Sequence, residues 1–411
     1  MAEIIPFRGI VYNAKKVSGD EVVAPPYDII TPELRGILYA KSPYNIVRID
    51  AGEERNGDDE EDNKYRRAAA FLEQWLREGV LLRSERPSLY AYGMDYRTEA
   101  GRKRVYGFFG LVRLEELGSG IYPHEETHSK PKVDRFNLMK ACRANTSPIF
   151  SLYHSPAKKA SRVIERTLGA DPYLSATDLQ GDVHKLWVID RPEDIDSIRS
   201  DLSDRAVFIA DGHHRYETAL EYQRMVGNAG GTEPSDYVLM FLANIADGGL
   251  TILPTHRIIR HSRKDDLAAL AEHLEVETLS PGADVIGAMK GRVQTFGLCR
   301  KGDDNQYLLR YRGDSLRTVD PPLRDLDVTI LHELIIKELL GASEILYEMD
   351  AAAAKELVRA GGYDAVFFLN PTRVEDVERV ALSSGRMPPK STYFYPKVMT
   401  GFVINSLRNA I

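Results

Sequence analysis

Two cysteines in 411 residues, Cys142 and Cys299, exclude a disulfide framework and a cysteine-rich zinc site. No apolar run approaches the roughly 20 residues that span a bilayer. The opening Met-Ala-Glu-Ile-Ile-Pro-Phe-Arg lacks the layout of a secretion signal, so a cytoplasmic protein without a membrane partner is expected. Basic residues are not in excess. With 54 Lys and Arg against 61 Asp and Glu, the formal net charge is −7, which argues against broad binding to nucleic acid. Internal repeats, low-complexity tracts and long linkers are also absent. What remains is an ordinary globular composition, 43% hydrophobic and 28% charged, long enough for two or three packed domains.

The most informative stretch present is Ala206-Val-Phe-Ile-Ala-Asp-Gly-His-His-Arg-Tyr-Glu-Thr-Ala-Leu220. An apolar strand, a tight Asp211-Gly212 turn and a helix starting near His213 follow one another. A helix start presents N–H groups without intrahelical acceptors and the positive end of the dipole, which attracts anions. Here Asp211, Gly212, His213, His214 and Arg215 lie where a phosphate would sit, at the carboxyl end of a strand. The same pattern also serves as a simple cap or ion pair, and it is neither a Walker loop nor a dinucleotide fingerprint. His213 and Glu217 share a helical face, as an ion pair would.

Around it, Thr31 reads as an N-cap with Pro32 at the first helical position. Residues 64–79 form an amphipathic helix after an acidic loop at 52–63. Period-two segments at 88–96 and 104–114 read as a β-hairpin. Residues 118–134 read as a loop, followed by a helix over 135–144 and a strand over 149–153. The chain changes character near residue 264. Strand and helix mix with too little βαβ alternation for a doubly wound sheet, so the expected class is α+β. The expected division is 1–85, 86–262 and 263–411.

Several clusters offer chemistry. The run Pro123-His-Glu-Glu-Thr-His-Ser-Lys-Pro-Lys-Val-Asp-Arg135 supplies a general base and cations for an anionic substrate, although most charge-rich loops are merely solvated. Its His124-Glu-Glu-Thr-His128 matches the zinc-protease pattern, but the flanking prolines and polar neighbours do not suit a buried helix. Thr255, His256 and Arg257 end an apolar strand. Lys390, Ser391, Thr392 and Lys397 form a further phosphate-clamping set near the C-terminus, without the glycines of a P-loop. His332, on an apolar helix, reads as structural.

These strings together resemble the DUF1015 family nearly end to end. The resemblance rests on Pro6-Phe-Arg-Gly, Ala24-Pro-Pro-Tyr-Asp28, Ser42-Pro-Tyr-Asn45, Pro123-His-Glu125, Arg143-Ala-Asn145, Ser147-Pro-Ile-Phe150, Ala210-Asp-Gly-His-His-Arg-Tyr-Glu-Thr-Ala219, Leu253-Pro-Thr-His-Arg257 and Met387-Pro-Pro-Lys-Ser-Thr-Tyr-Phe-Tyr-Pro-Lys397. That family usually carries an apolar residue in place of His128. The Asp-Gly-His-His-Arg-Tyr pattern is also similar to the second sequence box of the ParB/sulfiredoxin superfamily, which includes kinases of free L-serine.

This second resemblance implies a ParB/sulfiredoxin-like core and a phosphotransferase acting on free L-serine or a similar metabolite, with ATP, ADP, CTP or pyrophosphate as donor. It implies Glu125, His214 and Arg215 as catalytic and Asp211 with Glu126 as ligands of Mg²⁺. Residues 211–215 and Lys390, Ser391 and Thr392 would hold phosphate. His124, Lys132, Arg135, Asn145, Ser147, Thr255, His256 and Arg257 would contact substrate. The expected partners are a small-molecule substrate and a phosphoryl donor, with a homo-oligomer left open. The alternative is a nucleotide-binding, ParB-like switch without kinase activity.

Overall fold

A computed structural model describes residues 3–98, 101–125, 129–227, 233–260, 266–313, 315–316, 319–383 and 385–408. Helices and largely antiparallel sheets make an α+β fold, in two compact units. The first comprises Met1–Tyr122, Thr127–Leu250 and Pro396–Ile411, and the second Pro123–Glu126 and Thr251–Tyr395. Both units are assembled from discontinuous stretches of the chain. The first 85 residues belong with the following sheet, and the C-terminal strap returns to the first unit.

Unit 1 is built on nine strands: β1 (Ile4–Ile5), β2 (Leu89–Thr98), β3 (Gly101–Arg113), β4 (Ile121–Tyr122), β5 (Ile149–Tyr153), β6 (Leu174–Thr177), β7 (Val183–Ile189), β8 (Val207–Asp211) and β9 (Tyr237–Asn244). Their order is β4-β8-β5-β9-β3-β2-β7-β6, with β1 on β3. The expected hairpin is β2–β3, in register from Tyr90 opposite Phe109 to Thr98 opposite Gly101. Strand β9 is buried along its whole length because β3 and β5 flank it and both faces are covered. One face packs Phe108, Val112, Ile149, Met240 and Leu242 into an aliphatic core. The other carries an aromatic row of Tyr92, Phe109, Phe150 and Phe241, joined by Phe402 from the C-terminal strap.

Local signals place the helices. In α1 (Pro32–Lys41) the Thr31 hydroxyl accepts the Leu34 N–H. In α2 (Lys64–Arg77) Asn63 caps the N-terminus, and Ala68, Leu72 and Trp75 are buried on one face. The helix expected to begin at Arg135 begins earlier, as α3 (Ser129–Cys142). Pro131 falls in its first turn, where a missing N–H forfeits no intrahelical bond, so the proline does not delay the start. The strand–turn–helix unit at 206–220 forms as β8 and α4 (His213–Val226).

Unit 2 centres on an antiparallel sheet of six strands: β10 (His256–Arg260), β11 (Leu274–Leu279), β12 (Thr295–Arg300), β13 (Gln306–Tyr311), β14 (Glu344–Glu348) and β15 (Ala365–Phe368), in the order β11-β13-β12-β15-β10-β14. Among the described residues no helix is long and apolar enough to cross a membrane.

Candidate functional site

Each unit gathers part of the residue set expected from the sequence. In unit 1, β8 delivers Asp211 to the sheet edge after four buried residues, and a register shift between Ile209 and Asp211 leaves Asp211 opposite Phe150 of β5. Gly212 then adopts φ 97°, ψ 27°, and α4 starts at once. Only glycine suits this turn. A Cβ there would combine left-handed strain with an approach of 2.8 Å to Arg215 Nε.

Arg215 is 7% exposed and donates to Asp211 Oδ2 at 2.5 Å and to the Pro148 carbonyl. Its Nε is buried and has no hydrogen-bond partner among the described residues. Lys397, from the C-terminal strap, donates to Asp211 Oδ1 at 2.8 Å. One carboxylate thus holds two cations beside a helix N-terminus, and the excess positive charge suits an oxyanion. His213 is buried and His214 half-buried on the same first turn.

Arg135, Asn145, Thr146, Ser147 and Arg215 line one cavity of about 30 Å³. Arg135 stacks 3.9 Å from the centre of the Tyr27 ring and donates to the Asp50 carbonyl at 2.7 Å and to Asp134. Asn145 accepts the Leu239 N–H at 3.2 Å and a bond from Asn405 at 3.0 Å. Lys132 forms an ion pair with Glu217 of α4.

Sequence reasoning missed Tyr27 and Asp50 in this group. Tyr27 was legible as part of Ala24-Pro-Pro-Tyr-Asp28, but nothing local tied that turn to Arg215. Burial pushes its phenol up to about 12, opposed by the Arg135 and Arg215 cations.

Unit 2 gathers the rest. His124 is fully buried, and its Nε2 meets Thr392 Oγ1 at 2.7 Å. Glu125 Oε1 accepts the Lys390 N–H at 2.7 Å, with Lys390 itself at φ 57°. Arg257 is fully buried on β10. It donates to the carbonyls of Thr255, Pro389 and Lys390 and lies 5.1 Å from the centre of the Tyr347 ring. Burial pushes its guanidinium down to about 10, opposed by Tyr347 and Glu125. Ser391 Oγ donates to the Pro388 carbonyl at 2.5 Å. His124 and Glu125 are not helical, which removes the geometry a zinc-protease motif needs. Glu126 and His128 lie outside the described residues.

Asp211 does not fit a resident metal ion, since both of its oxygens are engaged by cations. Among the described residues there is no cluster of three or more His, Cys, Asp or Glu arranged to hold a metal.

Two buried histidines make unit 2 sensitive to acid. Burial, then the Arg257 cation, pushes His256 down to about 4, and burial, then Lys337, does the same to His332. Both folded values lie below the unfolded value of about 6.5. The stability they contribute is therefore complete above about pH 6.5 and is lost as pH falls towards 4, as much as about 3 kcal/mol for each. Melting curves of the wild-type protein and a His256→Asn variant between pH 7 and pH 4.5 test this. The variant is expected to lose less stability on acidification, and parallel declines would show that His256 carries none of it.

The chain resembles several solved structures at low identity. A free serine kinase in complex with AMP matches at 13% identity and TM-score 0.37, covering 69% of this chain and 89% of that one. A conserved hypothetical protein from Pyrococcus furiosus matches at 15% and 0.37, covering 70% and 94%. C-terminally truncated SbnI from Staphylococcus aureus matches at 14% and 0.36, covering 71% and 85%. No curated protein matches in sequence. The family model described as a protein of unknown function, DUF1015, matches residues 4–329, most of the chain and every motif through Arg257, and the chain belongs to that family.

Proposed function

We propose that the protein is a small-molecule phosphotransferase that moves a phosphoryl group from a nucleotide or pyrophosphate to the hydroxyl of free L-serine or a similar metabolite. The observation that carries this reading is Arg215: nine-tenths buried, at a helix N-terminus, with an unpartnered Nε and a second cation, Lys397, on the same carboxylate. Phosphoryl transfer depends mainly on positioning and charge neutralisation, and this cradle supplies both. In the reaction the acceptor oxygen bonds to phosphorus, the bond to the leaving phosphate oxygen breaks, and the hydroxyl proton passes to a carboxylate.

Glu125 is assigned as that base from its place in the Pro123-His-Glu125 motif. Residues 86–262 as a ParB/sulfiredoxin-like core belong to the same reading. Mg²⁺, where the donor requires it, would be held by the donor's phosphates and water rather than by a protein cage.

Phosphorus NMR of the purified protein with Mg²⁺, L-serine and, in separate tubes, ATP, ADP, CTP or pyrophosphate tests the reading. A phosphoserine resonance with one donor is expected and names that donor. Binding of a donor without transfer would replace the kinase with a nucleotide-responsive switch.

A further inference from the structure

We propose that unit 1 holds a pocket for a free α-amino acid, in which Asp50 takes the ammonium and Arg35 the carboxylate. For the ligand's role as phosphoryl acceptor this rests on the phosphotransferase reading; for its binding it does not. A cavity of about 100 Å³ is lined by Tyr27, Arg35, Asp50, Lys64, Asp134 and Arg135, among others. That volume is several times what a single water needs.

The lining carries both signs of charge, and two of its polar atoms are unsatisfied. Asp50 is 2% exposed. Its Oδ1 accepts the Thr146 hydroxyl at 2.7 Å and lies 3.5 Å from Arg135, whereas its buried Oδ2 has no partner among the described residues. Arg35 Nε, from α1, is likewise buried without a partner among the described residues.

The two orphans ask for opposite things. A carboxylate oxygen repels phosphate and carboxylate and requires an N–H or O–H donor. A guanidinium N–H requires an acceptor, and a carboxylate is the strongest one. A small molecule bearing an ammonium and a carboxylate on one carbon answers both, and a simple anion answers only one. Leaving either group buried and unbonded is costly, which gives the ligand its affinity.

Arg135 lines this cavity and also the smaller one that contains Arg215. An amino acid held at its α-carbon groups therefore lies next to the phosphate cradle, with its side chain as the part left to react.

Calorimetric titration of the full chain with L-serine, N-acetyl-L-serine and serinol tests the pocket. Wild-type protein is expected to bind serine at least tenfold more tightly than either analogue, which lack the ammonium and the carboxylate respectively. Asp50→Asn and Arg35→Gln are each expected to weaken serine binding tenfold or more. Arg215→Ala is expected to retain serine and lose pyrophosphate. The analogue series in wild-type protein keeps the test decisive should a variant fail to fold.

Absence of serine binding, or binding indifferent to the analogues and to both substitutions, would overturn the pocket and leave it a water-filled cavity. Serine binding in the expected pattern without phosphoryl transfer would keep the pocket and remove the kinase. Transfer that ignores Asp50→Asn and Arg35→Gln would keep the kinase and remove the pocket.

Discussion

Arg215→Lys is expected to lower kcat/KM for phosphoryl transfer by about 10²–10⁴-fold while leaving the chain folded. Lysine keeps the positive charge but has neither the planar fork nor an Nε. In the native site that fork is fully oriented: one nitrogen on Asp211, one on the Pro148 carbonyl, and Nε left for a ligand. A flexible ammonium would satisfy Asp211 alone and leave the Pro148 carbonyl unpaired. The loss should appear in kcat as well as KM, because transfer depends on positioning the phosphoryl group and on stabilising the charge spread over its equatorial oxygens in the transition state. Single-turnover rates with saturating donor, with a urea unfolding curve as the control for folding, make the measurement. Turnover within threefold of wild type would remove Arg215 from the reaction.

Glu125→Gln is expected to reduce turnover by about 10²–10⁴-fold, the range for loss of a general base. The substitution is a clean one here. Glutamine keeps an Oε1 that can accept the Lys390 N–H, so the loop retains that hydrogen bond while the capacity to take a proton, and the negative charge that acts on Arg257, disappear. Donor binding should survive the substitution. His128→Leu is the contrasting control, expected to change little. Near-normal turnover in Glu125→Gln would leave the reaction in need of another base.

Part of the candidate site is legible in short stretches of the chain. The Asp-Gly-His-His-Arg unit can be read because its parts interact within five residues: an αL glycine, a helix start, and an i,i+4 pair between Asp211 and Arg215. Thr31 before Pro32, and the alternation of β2 and β3, are legible for the same reason. Other features have no strong local signature. The helices over Ala351–Arg359 and Val374–Leu382 form in a region that the sequence pattern leaves without a helix.

The α+β class, the family, the hairpin and the strand–turn–helix unit at Asp211 are all written in local sequence, because periodicity, capping and turn chemistry act between neighbours. Which distant segments share a unit is a matter of packing. Lys397 reaches Asp211 across 186 residues because the C-terminal strap pairs Ile404 with Ile10 and Asn405 with Asn145. Arg135 meets Asp50 across 85 residues, and meets Tyr27 from farther still, for the same kind of reason. Such contacts are chosen by which buried surfaces fit and which buried charges find partners, and that selection is a property of the packed chain rather than of any short stretch of it.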